Sequence, residues 1–217
     1  MKEIKKKEER RMSEVDFMTK TIFTERNKNI SYVFLSLYCI YCLIKNDLSD
    51  FVFYTIGVYT LMDTIFYNNG TDVLIHHFLL LMLQVFHTFY GKNIDIFIYE
   101  DMKRVCMEME ISSLFLGIMY LLKEFNVPYH LETINSVLFT FTFIKYRIIR
   151  YMNGFVLDTS KHQYFIRYAR DKMYEVIFFY TIFVGFFILN TYWFMRIVKR
   201  FIRMAMNKEK KRIKKSE

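Results

Sequence analysis

Residues 73–86, VLIHHFLLLMLQVF, govern the interpretation of the whole 217-residue chain. The stretch is apolar enough for a membrane-spanning helix, yet it carries two adjacent histidines, His76 and His77. Ionisable side chains are costly in hydrocarbon, so an intramembrane pair points first to a functional site. Asp63 supplies a partner. It lies in the preceding apolar segment, and the polar break Asn68-Asn69-Gly70-Thr71-Asp72 predicts a helical hairpin centred near Gly70. Asp63 and His77 are then equally far from the turn. At a rise of roughly 1.5 Å per residue they share a depth about 10 Å from its tip.

Around this hairpin the sequence predicts an all-α, multi-pass membrane protein. Six apolar segments fall at about 29–45, 51–67, 73–90, 105–122, 134–151 and 175–198. Most lie near the short end of the roughly 17–25 residues a spanning helix needs. Hydrophobic residues make up 53% of the chain, with one proline and six glycines, while the mean hydropathy is only +0.12 because charge is segregated to the two ends. Basic residues precede the first apolar run (Lys2, Lys5, Lys6, Lys7, Arg10, Arg11) and follow the last (Lys199 to Lys215). Such flanks favour the cytosolic side and anionic lipid headgroups, so both termini are expected in the cytosol, as an even number of spans requires. The expected organisation is a basic segment at 1–24, a six-helix transmembrane domain at 25–205 and a basic tail at 206–217. The same placement of the +9 formal charge argues against a nucleic-acid partner.

A second set of polar residues lies in the fourth and fifth segments. Glu110 and Ser113 are three apart and share a helix face. Arg147 is about as far from the loop expected at 123–133 as Glu110 is, so an ion pair is available. Two polar layers are expected: Asp63, His76 and His77 towards the cytosol, and Glu110 with Lys145 or Arg147 towards the lumen. Gln84, seven residues after His77, continues that histidine's face and is a candidate ligand contact. Plainer readings exist for several of these: Lys145, Arg147 and Arg150 can snorkel from a helix end, and a lone histidine can bond a backbone carbonyl. Cys39 and Cys42, a C-x-x-C inside an apolar run, read as core packing. A histidine-rich iron site would need about eight histidines in spaced boxes; the chain has five, so no metal is expected.

These residues, in order, resemble the TLC-domain family of endoplasmic-reticulum membrane proteins. The resemblance is carried by Arg26-Asn27 with Asn29-Ile30-Ser31, by Tyr59 and Asp63 followed by His76-His77, and by Glu110-Ile111-Ser112-Ser113-Leu114-Phe115-Leu116. Asn135 with Arg147, and Asn190-Thr191-Tyr192-Trp193-Phe194, complete it. Gly117 stands where the family's fourth-helix block usually has Asn, and no H-D-x-x-D run follows His77, so the chain resembles TLCD-type members more than ceramide synthases.

The resemblance implies a six-helix bundle or barrel around a lipid-accessible cavity, acting in lipid metabolism or membrane lipid homeostasis. In acyltransferase members it implies acyl-CoA as co-substrate, with no bound cofactor, and a sphingoid-type amine as acceptor. His76 or His77 would act as base or acyl-accepting nucleophile, oriented by Asp63, with Glu110, Ser113, Arg147 and Gln84 against the substrate. The alternative is a non-catalytic cargo receptor or chaperone of the secretory pathway. Lys214-Lys215-Ser216-Glu217 resembles a dilysine retrieval signal, which implies residence in the endoplasmic reticulum.

Overall fold

The computed structural model describes residues 24–67 and 69–216. The N-terminal basic cluster and Asn68 lie outside them, as do Glu217 and the side chains of Lys214 and Lys215. Among the described residues the chain is helical, without strands. Helix α1 is Glu25–Lys45, α2 Asp50–Phe66, α3 Thr71–Tyr90 and α4 Ile96–Glu124; α5 starts as Tyr129–Thr142, and α6 is Thr159–Ser216. Helix α5 does not stop at Thr142: it widens into π-helical turns at Phe143–Arg150 and Met152–Val156.

Local chemistry sets these limits. Thr24 opens α1, its hydroxyl accepting from Asn27 N at 3.2 Å, and Asn46 closes it in a left-handed conformation (φ 55°). Asp95 opens α4 by accepting from Phe97 N and Ile98 N at 3.0 and 3.4 Å. That cap corrects the sequence expectation. The fourth helix begins at Ile96 rather than near 105, because the charged run 99–104 continues the helix and spends its charges on neighbouring turns.

The expected loop at 152–174 is also largely helix. Helix α6 starts at Thr159 and breaks at Lys172 (φ −134°, ψ 43°). His162 and Tyr180 bond at 2.7 Å, and the Phe165 and Phe179 rings stack at 4.3 Å. Residues 162 and 180 would be about 27 Å apart along a straight helix, so the limb before Lys172 folds back on the limb after it.

Contacts between turns define two ends. At one end, Lys103 Nζ donates to Leu48 O at 2.6 Å, Arg104 donates to the Asn46 side chain and Lys161 pairs with Asp101. The turns at 46–49, 91–95 and 157–158 are thereby gathered together. At the other end, Lys28 Nζ donates to Asn69 Oδ1 at 2.6 Å and the Arg26 guanidinium lies 4.9 Å from the Phe125 ring. The core between them packs Leu79, Phe86, Val105, Tyr151, Phe179 and Phe186, and a smaller cluster joins Leu35, Cys39, Cys42 and Met107. Cys39 and Cys42 are buried free thiols.

Polarity is inverted relative to a water-soluble bundle. Phe34, Val58, Phe78, Phe97, Phe141 and Ile188, one from each helix, are each more than half exposed, while Asp63, His76, His77, Glu110 and Arg147 are buried. Among the described residues, three helical stretches are long and apolar enough to cross a membrane: Thr71–Tyr90, Ile96–Glu124 and Thr159–Arg203. Helix α4 also approaches α1 closely at Gly117, where a Cβ would lie 2.9 Å from Val33 Cγ2. The side chain of an Asn has no room there.

Candidate functional site

One cavity of about 480 Å³ takes residues from all six helices. Tyr32 comes from α1, Tyr59 and Asp63 from α2, His76 and His77 from α3, Glu110 and Ser113 from α4, Arg147 from the π-helical part of α5, and Trp193 from α6. A volume of this order suits a small lipid or drug-sized ligand. The two polar layers expected from the sequence are therefore one site. Their separation followed from the over-long loop at 91–104: with the turn at 91–95, His76 and Glu110 are equally far from Asn93 and meet at one depth.

The two histidines differ in what holds them. His77 Nε2 lies 3.2 Å from Asp63 Oδ2 and its Nδ1 lies 3.0 Å from Thr64 Oγ1. Thr64 also reaches Thr60 O at 2.7 Å, and Asn69 Nδ2 donates to Asp63 Oδ2 at 3.1 Å. Both nitrogens of His77 are thus engaged within the protein. His76 is not held this way. Its Nδ1 is buried with no hydrogen-bond partner, and its ring packs 5.3 Å from Trp193 and 5.7 Å from Phe186.

Arg147 anchors the opposite wall. Its Nε donates to Ser112 Oγ and its Nη2 to Ser113 Oγ, each at 2.8 Å, and Nη2 lies 3.8 Å from Glu110 Oε1. The guanidinium sits 5.6 Å from the Trp193 ring, so His76 and Arg147 share one aromatic neighbour. A π-helical turn is wider than an α-turn and often marks a functional position; here it carries Arg147 into the bundle. Asp63 Oδ1 is buried and makes no hydrogen bond, with Lys28 Nζ at 3.8 Å. Near the 67–70 turn, Asp72 Oδ2 accepts from Trp193 Nε1 at 2.9 Å and Arg196 Nη1 at 2.8 Å, tying α6 to the start of α3.

Of the seven candidate residues from the sequence, Asp63, His76, His77, Glu110, Ser113 and Arg147 line the cavity together. Gln84 does not; it borders a smaller adjoining chamber with His76 and Glu110. Sequence reasoning missed Thr64, Lys28 and Asn69. Thr64 sits beside Asp63, so its hydroxyl could have been weighed as a histidine partner. Asn69 reads in the sequence as part of the polar turn, with no sign that its amide would reach Asp63. No group of three or more His, Cys, Asp or Glu among the described residues is placed to hold a metal ion. No protein-family model, curated protein or solved structure matches the chain.

Proposed function

We propose that this is an integral membrane protein of lipid metabolism or lipid homeostasis that holds an acyl chain in the six-helix cavity. In this proposal all six helices cross the bilayer, both termini are cytosolic, the protein resides in the endoplasmic reticulum, and its kinship is with TLC-type proteins. One observation above all supports it: a single cavity with a largely apolar outer bundle encloses His76, Glu110 and Arg147 at one depth. Buried polar groups inside a lipid-exposed bundle are expensive and mark a polar ligand or chemistry.

As an enzyme it would transfer an acyl group from acyl-CoA to a sphingoid-type amine. His76 takes a proton from the amine, the amine nitrogen bonds the acyl carbon, and the thioester C–S bond breaks. The proton then leaves with the CoA thiol. His76 suits this role better than His77, since His77 has both nitrogens bonded to Asp63 and Thr64. Arg147, a fixed cation in the same cavity, suits a developing oxyanion.

Lipidomics on cells expressing the wild type, His76→Ala and His77→Ala at matched membrane levels tests the proposal. New N-acyl lipids that vanish with His76→Ala are expected. A lipid profile indifferent to both variants overturns the enzymatic form. The engaged state of His77 favours a second reading, non-catalytic lipid binding with Asp63–His77 as a structural clamp. Acyl lipid that co-purifies with wild type and His76→Ala alike, without new N-acyl products, would support that reading.

A further inference from the structure

A chamber of about 20 Å³ adjoins the large cavity and shares Ile56, His76, Leu80 and Glu110 with it. Its remaining walls are apolar except for Gln84. Two polar atoms of the residues bordering it, His76 Nδ1 and Gln84 Nε2, are buried without hydrogen-bond partners. Glu110 supplies a carboxylate at the same place, with Arg147 Nη2 3.8 Å from its Oε1. A single water needs roughly 10–15 Å³ of such space and two to four polar partners. The chamber meets both conditions.

We propose that this chamber binds one water molecule that links Glu110 and Gln84 to His76, and that Gln84 is a positioning residue for the His76 imidazole. The water accepts from Gln84 Nε2–H and from His76 Nδ1–H and donates to the Glu110 carboxylate. Every orphaned group at the chamber is then satisfied. With Nδ1 as the donor in this chain, the Nε2 lone pair of His76 is left as the basic site. Glu110 thus does for His76, through water, what Asp63 does directly for His77 at 3.2 Å. The fold makes room for this arrangement at Gly57, where a Cβ would lie 3.0 Å from Gln84 Cδ. Any larger residue at 57 presses on the side chain that holds the water.

The inference deepens the proposed function, since it rests on His76 being the reacting imidazole, but its test does not depend on finding a product. The full chain, labelled with ¹⁵N-histidine and placed in phosphatidylcholine nanodiscs at mildly alkaline pH, is read by long-range ¹⁵N–¹H NMR. The His76 signals are assigned by their loss in His76→Gln. A protonated, pyrrole-type Nδ1 and a pyridine-type Nε2 are expected in the wild type. Gln84→Met keeps the volume but removes the donor, and Glu110→Gln removes the charge; each is expected to shift His76 towards the Nε2–H tautomer while the His77 signals stay in place. An Nε2–H tautomer in the wild type overturns the inference. So does a His76 signal unchanged in both variants. Should Gln84→Met fail to fold, Glu110→Gln alone carries the comparison. A His76 tautomer as expected with no acyl lipid bound would sink the proposed function and leave the water site standing.

Discussion

The two ends of this bundle bury charge in opposite ways. At the end holding the 157–158 turn, Lys161 donates to Gly154 O at 2.6 Å and pairs with Asp101 and Asp158. Arg150 reaches Asp101 and Glu108, each at 2.7 Å. In the cavity, by contrast, Arg147 is 3.8 Å from its carboxylate and Asp63 Oδ1 and His76 Nδ1 bond nothing. Among the described residues, the buried side-chain polar atoms without partners belong to Asp63, His76, Gln84 and Asn190. The first three border the cavity or its side chamber, and Asn190 touches Met109, which lines that chamber. A fully satisfied network rigidifies; a partly satisfied one is costly to maintain and is kept where a ligand or reaction completes it.

The contrast is most severely tested by Lys161→Met. It removes the cation between Asp101 and Asp158. Both carboxylates are partly exposed and Asp101 keeps Arg150, so a cost of about 3 kcal/mol is expected, the low end for breaking a buried pair. The measurement is the unfolding midpoint in detergent, with co-purified lipid expected unchanged. Loss of lipid at unchanged stability would show that the two ends are not separate in role.

A smaller effect is expected at the α1–α4 contact. Gly117→Asn places new atoms within 2.9 Å of Val33 Cγ2, and overpacking of this kind costs about 1–3 kcal/mol. Thermal unfolding reads it, and Val33→Ala in the same chain is expected to restore much of the loss. Absence of any cost would mean that α1 and α4 are free to separate at this point.

In the cavity a smaller effect is expected. His76→Leu removes an imidazole whose Nδ1 no protein group bonds, from a site walled by Phe186 and Trp193. It loses only the proposed water contact, so stability is expected to change by no more than about 1 kcal/mol. Under the proposed acyl transfer, its N-acyl products are expected to disappear. A loss of several kcal/mol would instead mark His76 as structural and erase the distinction between the two ends.

Much of the site was legible because depth can be counted from a turn. Asp63 and His77 lie on either side of Gly70 at matched distance, and they meet at 3.2 Å. The pairing of His76 with Glu110 obeys the same geometry about Asn93 but was hidden. The charged run Tyr99 to Arg104 resembles a loop in hydropathy, and only the Asp95 cap and the partners of Asp101, Lys103 and Arg104 explain why it is helix. The fold-back at Lys172 was illegible for a related reason. The limb before it is polar on one side and buries Phe165 on the other, a pattern that hydropathy averaging flattens. Arg147 meets Glu110 at 3.8 Å, as counting from the α4–α5 turn predicts, whereas the π-helical winding that carries it leaves no mark in the hydropathy.

The smallest effect expected is at the N-terminus of α6, where Asp158 Oδ1 accepts from Ser160 N at 3.1 Å and Lys161 N at 3.2 Å. Partial burial alone would raise its carboxyl, but the Lys161 and Ser160 backbone N–H groups and the Lys161 ammonium outweigh it and hold the group below the usual carboxylate range. A folded-state value below the unfolded one, about 3.9, means that the stabilisation is complete above that pH. It is lost as pH falls through the folded-state value. Asp158→Ala is expected to cost about 1 kcal/mol near neutral pH, as the loss of a helix cap does. Asp158→Asn keeps an accepting oxygen and is expected to recover part of that while removing the acid sensitivity of this group. The unfolding midpoint of the three proteins across the acid range separates cap from charge. If Asp158→Ala changed the lipid content as well, the cap would belong to the ligand site, and the satisfied end would share in function after all.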